Sequence, residues 1–458
     1  MTAFTVKKYN RIKLILPILK ILFLIIIIFA QYILSKYKTM TYKVDLIGNK
    51  LSKDASIMGK VYDFKKQMQL HDLNNLNVYK KHPQLSSCDR EVLIYNRYTQ
   101  KKMKCIMFGS NSYLGATIFP EAIKSATAAT QEMGIGSGGV PLLTGTSILQ
   151  NQLEKTIANF TGFDDTILFS SGYTANLGVI SGLIRSNNLV IHDKLNHASL
   201  LDGTLLSGAK MLRYRHNDMK DLERLIQENI NQYPNGILVV TDGVFSMDGD
   251  IANIPEILKI CNKYNILLLI DDAHATGVIG KKGAGTLSHY GITDRKNIIV
   301  TGTLSKAIGT VGGYITASQE IIDYLRIYAR SNMFSTALPP SICAAAIEVF
   351  NIIQETDIVD NLRYKAEYLR KKLRNEGFNI LNTNTPIIPV IVGNQTTLTQ
   401  MAKDAFEEGF IINPIFPPAV PANLTRFRIS VMASHTKTDM DRLTDLLIKL
   451  FKKYDIDR

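Results

Sequence analysis

The chain has 458 residues, 46% of them apolar, and a formal charge of +13. That is enough for one large domain and a smaller one, each with ample core. Residues 1–45 carry eight Lys/Arg against Asp45 and so hold +7 of the charge; the basicity flanks a candidate membrane segment and does not describe a nucleic-acid face. Cys88, Cys105, Cys261 and Cys343 are scattered and form no CxxC pair, which argues against a disulfide frame or a zinc module and for reduced cytosolic thiols; no metal site is expected.

The first expected element is a helix over about 14–34. Its core, residues 21–30, is apolar and uncharged, and at about 1.5 Å per residue the stretch just crosses a ~30 Å hydrocarbon layer. An uncleaved anchor is favoured over a signal peptide because no small-x-small cleavage site follows. A helix lying in one leaflet is a further alternative. Basic residues on both flanks leave its orientation open. Residues 41–100 form an arm or linker, with a helix over Val61–Leu76. Met107–Gly115 is a strand running into a turn of small polar groups, and Ile118–Met133 is a helix. The glycine loop 134–139 can cradle a phosphate, but no strand closely precedes it and no acidic residue follows at the spacing a nicotinamide site needs.

From Asn151 the pattern alternates. A helix over 151–160 is followed by strands at 166–169, 189–191, 237–240, 266–270 and 298–300, with a helix over Pro255–Tyr264. Continuous apolar strands alternating with helices imply a mainly parallel sheet covered on both faces. Ligands of such sheets bind beyond the carboxyl ends of the strands. The polar clusters fall at those ends: Ser170-Ser171-Gly172, His192-Asp193, Asp242, Asp271-Asp272 and Thr301 to Lys306. Lys306 stands in a tight turn among small residues, which suits an amine that must lose its proton beside a flat ring. Helix over 341–376, strand over 386–392, helix over 401–409, strand over 426–431 and helix over 439–454 complete a small α+β domain.

Five segments occur in the order typical of one family: Ser170–Asn176, Asp193–Ser199, Val244–Gly249, Asp271-Asp272-Ala273-His274 and Thr303-Leu304-Ser305-Lys306. Over about residues 100–450 the chain resembles the α-oxoamine synthases, pyridoxal-phosphate (PLP) enzymes of the aspartate-aminotransferase fold. The resemblance implies an α/β fold with a large PLP-binding domain (101–344) and a small α+β domain (345–458), to which the pattern above adds an N-terminal membrane anchor (1–40) and an arm (41–100). It implies PLP as cofactor and an amino acid and an acyl-CoA as substrates. Lys306 holds the cofactor and moves the Cα proton; Asp271 pairs with the pyridine nitrogen. His274 bonds the ring hydroxyl and His197 stacks on the ring. Gly172, Tyr173 and Thr174 open a helix whose amides bind the phosphate, Thr303 adds a hydroxyl, and Ser246 lies near the ring. Thr336 reaches the phosphate of a partner subunit in a homodimer, or in a heterodimer with a related chain. Arg428 clamps the substrate carboxylate, in preference to Arg426.

Within the family the anchor points to the serine palmitoyltransferase branch, because a long-chain acyl-CoA and its product partition into membrane. The expected reaction is L-serine plus palmitoyl-CoA to 3-ketosphinganine, at a single-pass membrane location with the catalytic domain cytosolic, on the endoplasmic reticulum in a eukaryote. Pro141, Gln150 and the Ser305-Lys306 pair depart from the family pattern and leave other branches open: 8-amino-7-oxononanoate synthase, 2-amino-3-ketobutyrate ligase and autoinducer synthase. A plain aminotransferase and a non-catalytic scaffold subunit are further alternatives, the latter opposed by the presence of Lys306, Asp271 and His197.

Overall fold

A computed structural model describes residues 56–73, 76, 82–234 and 236–458. Residues 1–73 and 74–458 are two separate compact units. Of the first, the described part is a helix, Ile57–Leu73, starting and ending a few residues earlier than expected.

The second unit is organised by a seven-stranded sheet. An antiparallel hairpin, β1 (Glu91–Asn96) and β2 (Lys101–Met107), precedes it. The sheet strands are β3 (Asp165–Phe169), β4 (Leu189–Asp193), β5 (Lys210–Tyr214), β6 (Ile237–Asp242), β7 (Leu267–Asp271), β8 (Ile298–Thr303) and β9 (Gly313–Ala317). Their spatial order is β3-β9-β8-β7-β6-β4-β5, and β9 alone runs against its neighbours. Along β4, β6 and β8 every residue is buried, which is why these strands are apolar without alternation. Val239, Leu268, Leu269 and Ile299 are wholly buried, and each such side chain contributes about 1.5–3 kcal/mol by leaving water.

Parallel pairing puts the carboxyl ends of β4, β6, β7 and β8 on one edge. Cross-strand register sets Asp242 opposite Asp271 and Asp271 opposite Thr301. The chain then turns between β8 and β9, and Lys306 sits in that turn. Backbone bonds close it, from Leu304 N to Gly312 O at 3.0 Å and from Thr310 N to Leu304 O at 2.8 Å. Gly309 lies at φ +75°, where a Cβ would come within 2.7 Å of the Thr117 backbone nitrogen; only glycine fits the bend.

A three-stranded sheet is built from β10 (Ile387–Ile391), β12 (Asn413–Ile415) and β13 (Arg426–Ser430), in the order β10-β13-β12, while β11 (Phe410–Ile411) joins the β1-β2 hairpin. Helices Pro340–Glu355 and Ile358–Asn375 fill the long helical stretch expected over 341–376, interrupted at Thr356-Asp357. Hairpin β1-β2 and strands β5 and β9 were not anticipated, nor were helices Ala198–Ser207, Met219–Asn229 and Gln319–Tyr328. The four cysteines are free thiols, as expected.

The membrane anchor requires correction. The expected helix over 14–34 lies outside the described residues, and among the described residues no helix is long and apolar enough to cross a membrane. A span needs about 20 mostly apolar residues; the longest described helix, Ile358–Asn375, has 18 and is studded with Asp360, Arg363, Lys365, Glu367 and Arg370. The described residues form the α/β aminotransferase-like fold with no helix among them that could span a membrane, and the single-pass location and the membrane partner are withdrawn.

Candidate active site

A cavity of about 230 Å³ opens at the carboxyl edge of the large sheet. Seven of the expected site residues line it: Gly172, Tyr173, His197, Asp271, His274, Thr303 and Lys306. They come from four separate strand ends, of β3, β4, β7 and β8, so only the parallel sheet brings them together.

Lys306 is half-buried. Burial pushes its amine down from the usual lysine range to about 8; Asp271 and Asp242 oppose that shift and Arg428 adds to it. The amine therefore gives up its proton near neutral pH. Asp271 is buried and accepts two hydrogen bonds, from Asn176 Nδ2 to Oδ2 at 2.6 Å and from Ala273 N to Oδ1 at 2.9 Å. Its neighbour Asp242 is pushed well above the carboxylate range, by burial first and then by Asp271; two carboxylates in adjacent register resist ionising together.

His197 stands on the open side of the cavity. Its backbone N–H donates to Asp242 Oδ1 at 3.1 Å, and its Nδ1 lies 2.7 Å from Ser199 Oγ. Desolvation by the cavity walls lowers its pKa. His274 is buried, with Nδ1 2.7 Å from Tyr113 Oη. Burial, then Lys306 and Arg428, hold it well below the usual histidine range, so it is a neutral imidazole.

The helix Gly172–Leu183 points its N-terminus at the cavity. Ser171 caps it by accepting from Thr174 N at 3.1 Å, and Thr174 Oγ1 accepts from Ser171 N at 3.0 Å. The Thr174 hydroxyl is thus used inside the capping box, leaving the amides of Gly172 and Tyr173 as first-turn donors. A Cβ on Gly172 would lie 3.0 Å from Thr303 Cβ, so a glycine there keeps the mouth of this anion site open. Tyr173 Oη donates to Asp202, and Thr303 Oγ1 donates to Gly312 O at 3.1 Å and pairs with Ser305 Oγ at 2.8 Å.

Three expected residues lie apart from this cavity. Ser246 contributes its backbone carbonyl, which accepts from Arg428 Nε. Thr336 sits in a separate small cavity with Pro141, Gln150 and Ser331; the glycine loop 134–139 is fastened to the same segment, Ala337 N donating to Gly139 O at 3.0 Å. Arg428 is buried on β13 and donates to Asn111 Oδ1 at 2.9 Å, Ser430 Oγ at 3.0 Å and Tyr113 Oη at 3.3 Å. It reaches the Lys306 cavity through Tyr113 and His274. Arg426, two residues away, is bound to Asp248 and to the Leu424 carbonyl, which ties it to the protein.

Asn176, Ser199, Asp242 and Tyr113 complete the constellation without having been singled out in the sequence. Asn176 and Ser199 lay inside the family segments and Asp242 at a strand end, so their positions were visible. Their roles depend on partners over 20 residues away and were not.

An amine that deprotonates readily, a buried carboxylate, a flat imidazole, hydroxyls and a helix N-terminus form the donor set that PLP requires. Fold and site together define a PLP-dependent enzyme. Residues 103–447 match the family model for class I and II aminotransferases. An 8-amino-7-oxononanoate synthase from Thermoanaerobacter pseudethanolicus is 40% identical over 86% of this chain and 98% of its own. A serine palmitoyltransferase from Bacteroides ovatus is 42% identical over 77% and 89%. Among solved structures, the Sphingomonas wittichii serine palmitoyltransferase superimposes with a TM-score of 0.81 at 29% identity, covering 88% of this chain and 100% of that one. An 8-amino-7-oxononanoate synthase from Francisella tularensis gives 0.67 at 26% identity, covering 77% and 99%. The chain belongs to the class I and II aminotransferase family and, within it, to the α-oxoamine synthases. It is a PLP-dependent acyltransferase.

Proposed function

We propose that the enzyme joins L-serine to palmitoyl-CoA to give 3-ketosphinganine. The observation that carries this branch is the likeness to serine palmitoyltransferase structures, with a TM-score of 0.81 over the whole of that chain, against 0.67 for the 8-amino-7-oxononanoate synthase. The argument from a membrane anchor no longer contributes.

PLP, when bound, supplies an electron sink for the charge left at the amino acid's α-carbon. The chain's own residues do the rest. Lys306 holds the cofactor and, once its amine is free, takes the α-proton. Asp271, anchored through both oxygens, holds the proton on the ring nitrogen. His197 presents a flat imidazole at the open side of the cavity, and the amides of Gly172 and Tyr173 receive the phosphate. Arg428 is the carboxylate ligand. Four of its five N–H groups are engaged in the described structure, so the substrate takes the fifth and displaces the longest bond, to Tyr113. The α-carbon then bonds to the thioester carbonyl, the C–S bond breaks and CoA leaves with a proton. The bond from the α-carbon to the carboxyl breaks, carbon dioxide departs, and the α-carbon takes a second proton, supplied by solvent, so that the whole reaction consumes one. Thr336 completes the phosphate site of a second copy, and the functional unit is a dimer.

A second reading is favoured by the 40% identity to an 8-amino-7-oxononanoate synthase across 98% of its length. That product carries a methyl group beside its amino carbon and a carboxylate at its far end, so it is assembled from alanine and a carboxylate-ended acyl-CoA. Purified protein incubated with PLP and each substrate pair, with products read by mass spectrometry, separates the two. Ketosphinganine from serine and palmitoyl-CoA is expected. Product from alanine with the carboxylate-ended thioester, and none from serine, sinks the first reading.

A further inference from the structure

One side chain touches both functional faces of the cavity. Asn176 is 3% exposed and lies one turn into the helix that begins at Gly172. Its Nδ2 donates to Asp271 Oδ2 at 2.6 Å and to Ser199 Oγ at 2.8 Å, and its Oδ1 accepts from Thr301 Oγ1 at 2.7 Å. The two amide hydrogens are both used. The orientation is forced, because turning the amide over would set its oxygen against the Asp271 carboxylate at the same 2.6 Å separation.

The consequences run in two directions. Toward Asp271, the amide N–H and the Ala273 backbone N–H each serve one oxygen, so the carboxylate is held in place from both ends. Toward His197, the Ser199 hydroxyl already receives the Asn176 N–H, so its own hydrogen is directed to His197 Nδ1 at 2.7 Å. The Ser199 backbone N–H points at the same nitrogen, at 3.3 Å. With two donors aimed at Nδ1, the ring proton resides on Nε2, the edge turned away from these anchors.

We propose that Asn176 is a positioning residue that serves two groups at once: it holds the Asp271 carboxylate in place for the cofactor's ring nitrogen, and through Ser199 it locks His197 as the Nε2–H tautomer that donates to the amino-acid substrate. The inference rests on the PLP-dependent reading of the site.

The test compares N176A, S199A and T301V in the full-length holoenzyme. N176A is expected to weaken PLP binding, followed by the cofactor's absorbance, roughly ten- to hundredfold, the range for losing a buried hydrogen bond to a charged group. It also shifts the midpoint of the absorbance titration with pH and lowers kcat. S199A acts on His197 alone: kcat falls while PLP affinity and the titration midpoint stay at wild-type values. T301V removes only the lock on the amide, and gives the N176A shifts in the same direction but smaller; it stands in if N176A does not fold. Wild-type titration and turnover in N176A overturn the inference, as does a midpoint shift in S199A as large as that in N176A, or unchanged behaviour of T301V where N176A cannot be prepared. A wild-type chain that takes up no PLP sinks the proposed function itself and is recognised before any variant is compared.

Discussion

Two partly buried cationic groups at the carboxyl edge of the same sheet are driven in opposite directions. Among the described residues no carboxylate is in hydrogen-bond contact with Lys306, and burial brings its amine down to about 8. His216, just beyond β5, lies between two carboxylates: Nδ1 is 2.9 Å from Asp193 Oδ1 and Nε2 is 2.9 Å from Asp250 Oδ2. Burial would lower it, but Asp193 and Asp250 outweigh burial and raise it to about 10. Both ring nitrogens face acceptors, so both carry protons. The ring then ties the strand end that leads to His197 to the turn that leads from Ser246. The difference teaches that burial alone does not mark a functional group. A cation left short of partners is poised to react, and a cation fully paired is a brace.

The largest expected effect breaks the poised side. K306A removes the amine and should cut turnover by at least about a thousandfold; a visible PLP absorbance that borohydride fixes onto the chain should vanish with it. Retention of both by K306A would end the assignment. Next, R428Q removes the guanidinium that lowers Lys306 and that we propose as the carboxylate ligand. The amino-acid KM should rise roughly ten- to hundredfold, and the pH at which Lys306 becomes reactive toward an amine reagent should move upward from about 8. R426Q, which loses the contacts to Asp248 and to the Leu424 and Met247 carbonyls, should lower thermal stability and leave that KM alone.

The smallest effect tests the brace. H216L strands two carboxylates, one of them wholly buried, and should cost about 3 kcal/mol, read as a lowered thermal midpoint. The sign with pH follows from a folded pKa raised from 6.5 to about 10. The stabilisation is complete below pH 6.5 and is lost as pH rises through about 10. The gap between wild type and H216L should therefore narrow over that window. A gap that widens with pH would show that His216 is not charged.

Much of the site was legible because parallel sheets place chemistry at strand ends, and the strands were apolar enough to find. Lys306, Asp271, His274 and Gly172 sit one to three residues beyond or at the close of such runs. Arg428 stood out through the family resemblance, but nothing local showed that Ser246 holds it from one segment and Asn111 and Tyr113 from another. Strand β9 escaped notice because its residues, Gly313–Ala317, follow a glycine-rich turn and resemble a loop. The anchor, argued from composition alone, finds no counterpart among the described residues, and the choice of acyl chain that leaned on it now leans on structural likeness.

The sequence by itself determined the alternation of strand and helix and the strand-end clustering of polar groups, because these are local consequences of side-chain period and turn chemistry. Only the tertiary structure decided which protons sit where. The amide orientation of Asn176, the charge on His216 and the lowered pKa of Lys306 each depend on partners far away in the chain, since ionisation responds to what lies within a few ångströms in space.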